Sequence, residues 1–426
     1  MRTESQTQYD AGHDPPLDVK RRLNSARVLV ISMLFAPCGA VGGKRFSFLS
    51  RYLSKRFVEY HVLARNERDR YVDQTAFDGP VNRVRAWIDY PIRARRGVRY
   101  KLMRAWERWF CVIDPYIGWV PPAVLKGVQL CLRRRLNVIV VTVPLFSPMI
   151  SALVIAAICR AKLIIDYRDP MTGVRRDWPK PFGKSASRAL ERTAIRRARA
   201  IVFCTNIMHD QFVAEFGGIA PRRLEVIYNG FLGFESDGAI RLDAGRIEMV
   251  YAGEFYGSRR LNMIAPILRE LLDAGEISPE SFRFHIYSNL RREDRDYLRT
   301  QGIGGVVEEH PVLPYDEIKK VLRGADILFL PSGDDVAYAV PFKFFDYVSA
   351  RRPILAVAPL QSSVAQLMGE IDCGEFAGSD DPGRIREALQ RLLRRDTVYS
   401  FAGAERYLWS NAAAAYSRVI ESVASE

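Results

Sequence analysis

One segment of the sequence combines a lysine and an aspartate in a spacing that suits a nucleotide. It covers residues 340–356 (VPFKFFDYVSARRPILA), and Pro341 stands where a helix is expected to begin. Lys343 would lie in the first helical turn, where the helix dipole and an ammonium group together favour a phosphate. Asp346 follows three residues later on the same helical face and could bind ribose hydroxyls. The alternative for Lys343 is a solvated surface lysine.

A second basic segment covers residues 251–260 (YAGEFYGSRR) and follows a predicted strand. Gly253 belongs to a glycine-bearing loop, and Arg259 with Arg260 leads into a helix. Guanidinium groups at the start of a helix suit a diphosphate. Solvation at the surface is the alternative for one of the two arginines.

In the N-terminal half, residues 35–45 (FAPCGAVGGKR) form a loop between a strand and a helix. Gly42 and Gly43 would let backbone N–H groups approach an anion at the helix start. A glycine-bearing loop without a ligand explains them equally well. The segment is not a GxGxxG fingerprint, and no acidic residue follows at the expected distance, so binding of a dinucleotide is disfavoured.

Residues 164–170 (IIDYRDP) bring three ionisable groups to the end of another predicted strand. Arg168 and Asp169 lie furthest along and are the candidates for catalysis. Asp169 could accept a proton or hold a sugar hydroxyl. Asp166 is better interpreted as a helix cap or as the partner of a structural arginine.

Apolar β-branched runs alternate with helical segments along the chain, and the series starts again after residue 243. This pattern predicts an α/β protein with two Rossmann-like, doubly wound parallel-sheet domains that face each other across a cleft. We expect a disordered leader at residues 1–26, domains at 27–235 and 236–405, and a C-terminal helix at 406–426. That helix is expected to pack back on the N-terminal domain.

Composition narrows the classes of protein further. Residues 1–235 carry 40 Lys and Arg against 20 Asp and Glu, whereas the remainder carries 23 against 29. Six scattered cysteines and five histidines show no spacing typical of metal ligands, so neither a metal site nor a cofactor is expected. The basic half could face phosphates, an anionic membrane or nucleic acid. A nucleic-acid partner is disfavoured because no compact binding module is visible.

Residues 91–113 (PIRARRGVRYKLMRAWERWFCVI) have the composition of a helix that lies in a membrane interface. As a helix from Val98, the segment has one apolar stripe made of Val98, Leu102, Met103, Trp106, Trp109, Phe110 and Ile113. Basic residues surround the stripe: Arg93, Arg95, Arg96, Arg99, Lys101, Arg104 and Arg108. This predicts peripheral contact with an anionic membrane. Packing of the stripe on the domain core is the alternative.

Seven segments, in this order, resemble glycosyltransferases of the GT-B fold, specifically family 4 and its relatives in bacterial polysaccharide assembly. They are VGGKR (41–45), DPYIGWVPPA (114–123), IIDYRDP, ALERTAIRRARAIVFCT (189–205), VIYNGF (226–231), YAGEFYGSRR and PFKFFDYVSARRPIL (341–355). The resemblance implies a nucleotide-sugar donor on the C-terminal domain and an acceptor on the N-terminal domain. It also implies no metal requirement, since basic residues and helix N-termini neutralise the leaving diphosphate.

Residue by residue, Arg259 and Lys343 match the family's diphosphate-binding pair. Asp346 matches the second of two family glutamates spaced eight apart, and the first would fall at Tyr338, which is no carboxylate. With the scattered cysteines, which favour a cytoplasmic protein, and with residues 91–113, this resemblance predicts a cytoplasmic enzyme that transfers a sugar to a glycan or lipid-linked acceptor, peripheral on the inner face of the cell membrane. The alternatives are a nucleotide-sugar epimerase on the same scaffold and a non-catalytic, glycosyltransferase-like binding protein.

Overall fold

A computed structural model of the chain confirms two parallel-sheet α/β domains. It describes residues 26–38, 41–66, 77, 79–87, 114, 116–171, 181–234, 238–240, 242 and 245–426. Residues 1–25 of the predicted leader (1–26) and the predicted interfacial helix at 91–113 lie outside these residues. No helix in the described parts of the chain is both long enough and apolar enough to cross a membrane.

The N-terminal sheet has seven parallel strands in the order β3-β2-β1-β4-β5-β6-β7. They are β1 (Arg27–Ile31), β2 (Glu59–Arg65), β3 (Val81–Val84), β4 (Val138–Val143), β5 (Lys162–Tyr167), β6 (Ala198–Phe203) and β7 (Arg223–Val226). Strand β4 reads VIVVTV and is buried at every position. Such a continuous apolar run is typical of a parallel strand covered on both faces.

Helices cover both faces of this sheet. They are α1 (Val41–Arg56), α2 (Val120–Arg134), α3 (Phe146–Cys159), α4 (Pro181–Arg197) and α5 (Asn206–Phe216). Helices α2 to α5 pack on one face, and α1 packs on the other. The C-terminal helix α12 (Trp409–Ser425) returns to the N-terminal domain and packs beside α1.

The C-terminal sheet has six parallel strands in the order β10-β9-β8-β11-β12-β13. They are β8 (Ile247–Ala252), β9 (Phe282–Tyr287), β10 (Val307–His310), β11 (Ile327–Pro331), β12 (Ile354–Ala358) and β13 (Gly374–Gly378). The helices are α6 (Ala265–Asp273), α7 (Arg292–Thr300), α8 (Tyr315–Gly324), α9 (Phe342–Ala350), α10 (Ser363–Glu370) and α11 (Pro382–Arg394). Helices α6, α7 and α11 lie on one face, and α8 to α10 lie on the other.

Short 3-10 turns complete the secondary structure. They are Ile117–Trp119, Gly217–Ile219, Leu261–Met263, Asp334–Val336 and Ala404–Tyr407. Both sheets reverse their strand order once, between β1 and β4 and between β8 and β11. Crevices beyond the carboxyl ends of the strands at such switch points are where open α/β sheets bind ligands. The fold therefore places the loops after β1 and β8 at these two positions.

A buried ion pair fixes the N-terminal domain around α1. The Arg45 guanidinium lies 2.9 Å from the Asp166 carboxylate, and both side chains are fully buried. Arg45 also donates to Asn229 and to the Ile227 carbonyl, while Asp166 accepts from Tyr416 on α12. The network joins α1, β5 and α12, so Asp166 is the structural partner of an arginine.

Candidate active site

The basic residues of the C-terminal domain meet where β8 ends and α9 begins. Lys343 lies in the first turn of α9, and its Nζ donates a hydrogen bond of 3.0 Å to the Tyr251 hydroxyl at the end of β8. The same ammonium lies 4.2 Å from the centre of the Tyr251 ring. Tyr251 in turn donates to the Glu254 carbonyl. The lysine is thus directed toward the β8 loop instead of being a free surface side chain.

The surroundings of Lys343 are unfavourable for a positive charge. The pKa of Lys343 is lowered to about 7, mainly by burial and next by the charge of Arg259, while Asp346 and Glu254 act in the opposite direction. The ammonium donates to a neutral hydroxyl rather than to a carboxylate. An anion bound beside it would restore the charged form.

Arg259 lies in the same loop, and its side chain is only 6% exposed. Its Nη1 donates 2.8 Å to the Tyr256 hydroxyl, and its guanidinium lies 5.0 Å from the centre of that ring. Its Nε is buried and has no hydrogen-bond acceptor among the described residues. Arg260 is different, because it is exposed and donates to the Gly257 carbonyl. Of the two arginines, only Arg259 is therefore directed into the protein.

Gly253 makes room for this arrangement. Its φ of +139° favours glycine, and a Cβ there would lie 2.4 Å from the Lys343 Nζ. The loop therefore depends on a residue without a side chain at the point where it passes the lysine.

Asp346 lies one helical turn after Lys343 and accepts a hydrogen bond of 2.6 Å from the Tyr315 hydroxyl. Tyr315 begins α8, and the Nζ of Lys44 on α1 lies 3.9 Å from the centre of its ring. This cation–π contact joins the two domains. Asp346 consequently lies beside the cleft, on the same side as Lys343.

In the N-terminal domain, Arg168 is fixed by backbone carbonyls. Its Nε donates to Val143, and its Nη1 donates to Gly42 at the start of α1. A Cβ on Gly42 would lie 2.8 Å from that Nη1, and one on Gly43 would lie 3.2 Å from backbone atoms of the β1 loop. Both glycines thus permit close packing at the first switch point. Two backbone carbonyls thus hold Arg168 at the edge of the sheet, and its part in catalysis stays a prediction.

Asp169 contacts the C-terminal domain directly. Its carboxylate accepts a hydrogen bond of 3.3 Å from the hydroxyl of Tyr338. Tyr338 is buried in the core of the N-terminal domain, and its carbonyl accepts from Thr205 and Ser363. Tyr338, which stands in place of the first of the two family glutamates, therefore bridges the two domains and positions Asp169 in the cleft.

Sequence spacing missed a further group of ionisable residues in the C-terminal domain. His285 on β9 and Glu308 and His310 on β10 come together so closely that they could hold a metal ion. They are distant in sequence, and only the pairing of β9 with β10 brings them together. His285 and Tyr287 are two residues apart in sequence, as are Glu308 and His310, so the members of each pair lie on the same face of their strand. This spacing is the one signal in the sequence that could have indicated a shared face.

Taken together, the strand orders and the contacts across the cleft define a GT-B architecture, in which two Rossmann-like domains face each other. Residues 42–230 match the family model described as the glycosyl transferase 4-like domain. No curated protein sequence matches the chain.

Solved structures show the same fold over nearly the whole chain. The lipopolysaccharide outer core galactosyltransferase WaaB is similar with a TM-score of 0.61 and 13% identity, covering 93% of this chain and 99% of that one. HepE from Anabaena, in complex with UDP, has a TM-score of 0.56 and 14% identity, covering 94% and 97%. Sucrose-phosphate synthase from Thermosynechococcus elongatus has a TM-score of 0.56 and 14% identity, covering 94% and 96%.

The fold and the family match confirm the resemblance found in the sequence. The chain has the GT-B fold, and residues 42–230 are similar to the glycosyl transferase 4-like domain.

Proposed function

We propose that the protein transfers a sugar from a nucleotide-sugar donor, and that Lys343 and Arg259 bind the donor diphosphate and stabilise the nucleoside diphosphate as it leaves. The observation that carries this proposal is the pair of cations at the end of β8. One of them has a depressed pKa, and the other has a buried Nε without an acceptor among the described residues. Negative charge between them would satisfy both groups, and it grows as the glycosidic bond to the diphosphate breaks.

The same pair supports transfer without a metal ion at the diphosphate. A lysine, an arginine and the N-terminus of α9 supply the positive charge that a divalent cation supplies in other transferases. Asp346 is suited to the ribose hydroxyls because it lies one turn further along the same helix. Uridine is the first nucleotide to test, because HepE is solved with UDP and with UDP-glucose.

Asp169 is proposed to act at the transferred sugar. It lies past the carboxyl end of β5, and Tyr338 reaches it from the opposite domain. There it could position a donor hydroxyl or accept the acceptor proton. The acceptor is proposed to be a glycan or lipid-linked sugar on the N-terminal domain, in polysaccharide or glycoconjugate assembly at the cytoplasmic face of a membrane. The basic charge of residues 1–235 and the interfacial composition of residues 91–113 support this acceptor class.

The test is incubation of the purified protein with UDP-, GDP- and dTDP-sugars in excess EDTA. We expect release of the nucleoside diphosphate from one of them, and transfer when lipid-linked acceptors are added. Formation of an epimer, or binding without turnover, would overturn the proposal in favour of the epimerase or the binding protein. Activity lost in EDTA and restored by Mg²⁺ or Mn²⁺ would contradict metal independence.

A further inference from the structure

Three neighbouring strands of the C-terminal sheet bring two histidines and two glutamates to one face. Strand pairing sets His285 opposite Glu308 and Tyr287 opposite His310. On the other side of β9, Val250 of β8 is opposite His285, so Glu248 lies two residues earlier on the same face. None of these residues has a part in the donor site described above.

The spacing of the ligand atoms suits a small metal ion. The Nδ1 of His285 lies 2.8 Å from the Nε2 of His310, and Glu308 oxygens lie 4.0 Å from the first and 3.5 Å from the second. Ligands in a tetrahedral zinc site are separated by roughly 3.4 Å, given metal–ligand bonds of about 2.0–2.2 Å. The three measured distances bracket that value, so small side-chain rotations would complete the arrangement.

The neighbouring residues hold the two imidazoles in orientations that suit a metal ion. Glu248 is 1% exposed and accepts a hydrogen bond from the Nε2 of His285. A proton on Nε2 leaves the Nδ1 lone pair directed toward His310. The Tyr287 ring stacks on the His310 ring with centres 4.4 Å apart. A buried carboxylate behind a histidine is the usual outer support of a metal-bound imidazole.

We propose that His285, Glu308 and His310 bind one divalent transition-metal ion of the zinc class, with Glu248 orienting His285. Two imidazoles and a carboxylate favour such ions over Mg²⁺ and Ca²⁺, which prefer oxygen ligands. Glu308 is about half exposed, so a fourth coordination position can open to water. The ion joins the edge strand β10 to β9 and stabilises the folded domain. Hydrogen bonds already link His310, His285 and Glu248 in a chain.

The experiment uses the full, untagged chain, treated with EDTA and then dialysed. Zn²⁺ is titrated by calorimetry, and Co²⁺ is titrated by visible absorption, which reports the coordination geometry. We expect one equivalent of Zn²⁺ at micromolar affinity or tighter, with a rise in melting temperature. His310→Ala should weaken binding at least tenfold and remove the Co²⁺ bands, and Glu248→Gln should weaken binding by about 10–100-fold.

His209→Ala is the matched control, because His209 is a partly exposed histidine on α5 with a neighbouring acidic partner, Asp210. The Zn²⁺ binding curve of His209→Ala should equal that of the wild type. Glu308→Gln changes an exposed side chain and should weaken Zn²⁺ binding without a change in the melting temperature of the metal-free protein. Equal Zn²⁺ affinity in wild type, His310→Ala and Glu308→Gln, or no binding at micromolar concentration, would overturn the proposal.

Discussion

At the level of single residues, the charged groups that hold the fold differ from the cations of the proposed donor site. Arg45 and Asp166 satisfy each other completely inside the N-terminal domain. Lys343 and Arg259 instead repel each other, and burial together with this repulsion lowers the pKa of the lysine. Like charges held together in this way reduce stability in the free protein and favour an anion.

The first prediction concerns the leaving group. Lys343→Ala should cost roughly 2–4 kcal/mol in the transition state, because it removes a contact that strengthens as the diphosphate leaves. Steady-state turnover of the confirmed donor measures this loss. Lys55→Ala, which changes an exposed lysine at the end of α1, is the control and should be neutral. Equal kcat/KM for Lys343→Ala and wild type would contradict the assignment.

The second prediction is a pH dependence of donor binding. Because the pKa of Lys343 is lowered to about 7 in the free protein, its charge is present below this pH and lost above it. A bound diphosphate raises the pKa again, so affinity should fall by up to about tenfold per pH unit above 7. Calorimetric titration of the nucleotide sugar at several pH values measures it. In Lys343→Met the fall in affinity should disappear. An unchanged dependence of affinity on pH in this variant would exclude the lysine as its cause.

The third prediction distinguishes Asp169 from Asp166. Asp169→Asn should lower the rate at least tenfold with little change in melting temperature, because Asp169 lies in the cleft. Asp166→Asn leaves the buried charge of Arg45 without its counter-ion and should destabilise the fold by about 3–5 kcal/mol. Thermal melting and turnover of both variants are compared. Early melting of Asp169→Asn would make Asp169 a structural residue as well.

At the level of secondary structure, the sequence predicted the elements whose signal is local. Apolar runs such as VIVVTV in β4 predict central strands, and the predicted position of Lys343 in the first turn of a helix is confirmed. Strand β3 has no such signal, because VNRV is partly polar and partly exposed. Strand β10 covers only Val307–His310, because the glycines at 304 and 305 belong to the preceding turn.

Features that depend on the pairing of distant elements could not be predicted. Tyr338 packs in the core of the opposite domain, and nothing near it in sequence indicates that contact. Likewise, His285 and His310 meet only because of the register between β9 and β10. The approach of Arg259 to Lys343 was inferred from the family resemblance, whereas the spacing alone left each as a possible surface residue.

The fourth prediction tests the β8 loop. Gly253→Ala should weaken donor binding at least tenfold, because the new methyl group would displace the Lys343 ammonium and strain a positive φ. Gly369→Ala is the matched control, since a Cβ there meets no atom within 4 Å. In helix α10 it should be neutral or stabilise by up to about 1 kcal/mol. Equal donor affinity in both variants would show that the loop adapts.

At the level of the whole molecule, the two domains are joined by contacts that lie at the proposed substrate positions. Lys44 meets Tyr315, which holds Asp346, and Tyr338 meets Asp169. Helix α12 returns from the C-terminal domain to pack beside α1. Any movement of one domain relative to the other therefore changes the surroundings of both Asp346 and Asp169.

The last prediction is that the whole protein binds anionic membranes through residues 91–113. Each basic group near an anionic surface contributes roughly 1 kcal/mol, so the seven of this segment should be sufficient for peripheral binding. Sedimentation with anionic and neutral vesicles, at low and high salt, measures it. We expect binding that requires anionic lipid and weakens with salt.

The test variant replaces four arginines of the segment by serine: Arg93, Arg95, Arg96 and Arg99. The control replaces four exposed arginines of the C-terminal domain: Arg292, Arg299, Arg384 and Arg394. If both variants bind like the wild type, or the wild type binds neither vesicle, the segment is not a membrane contact.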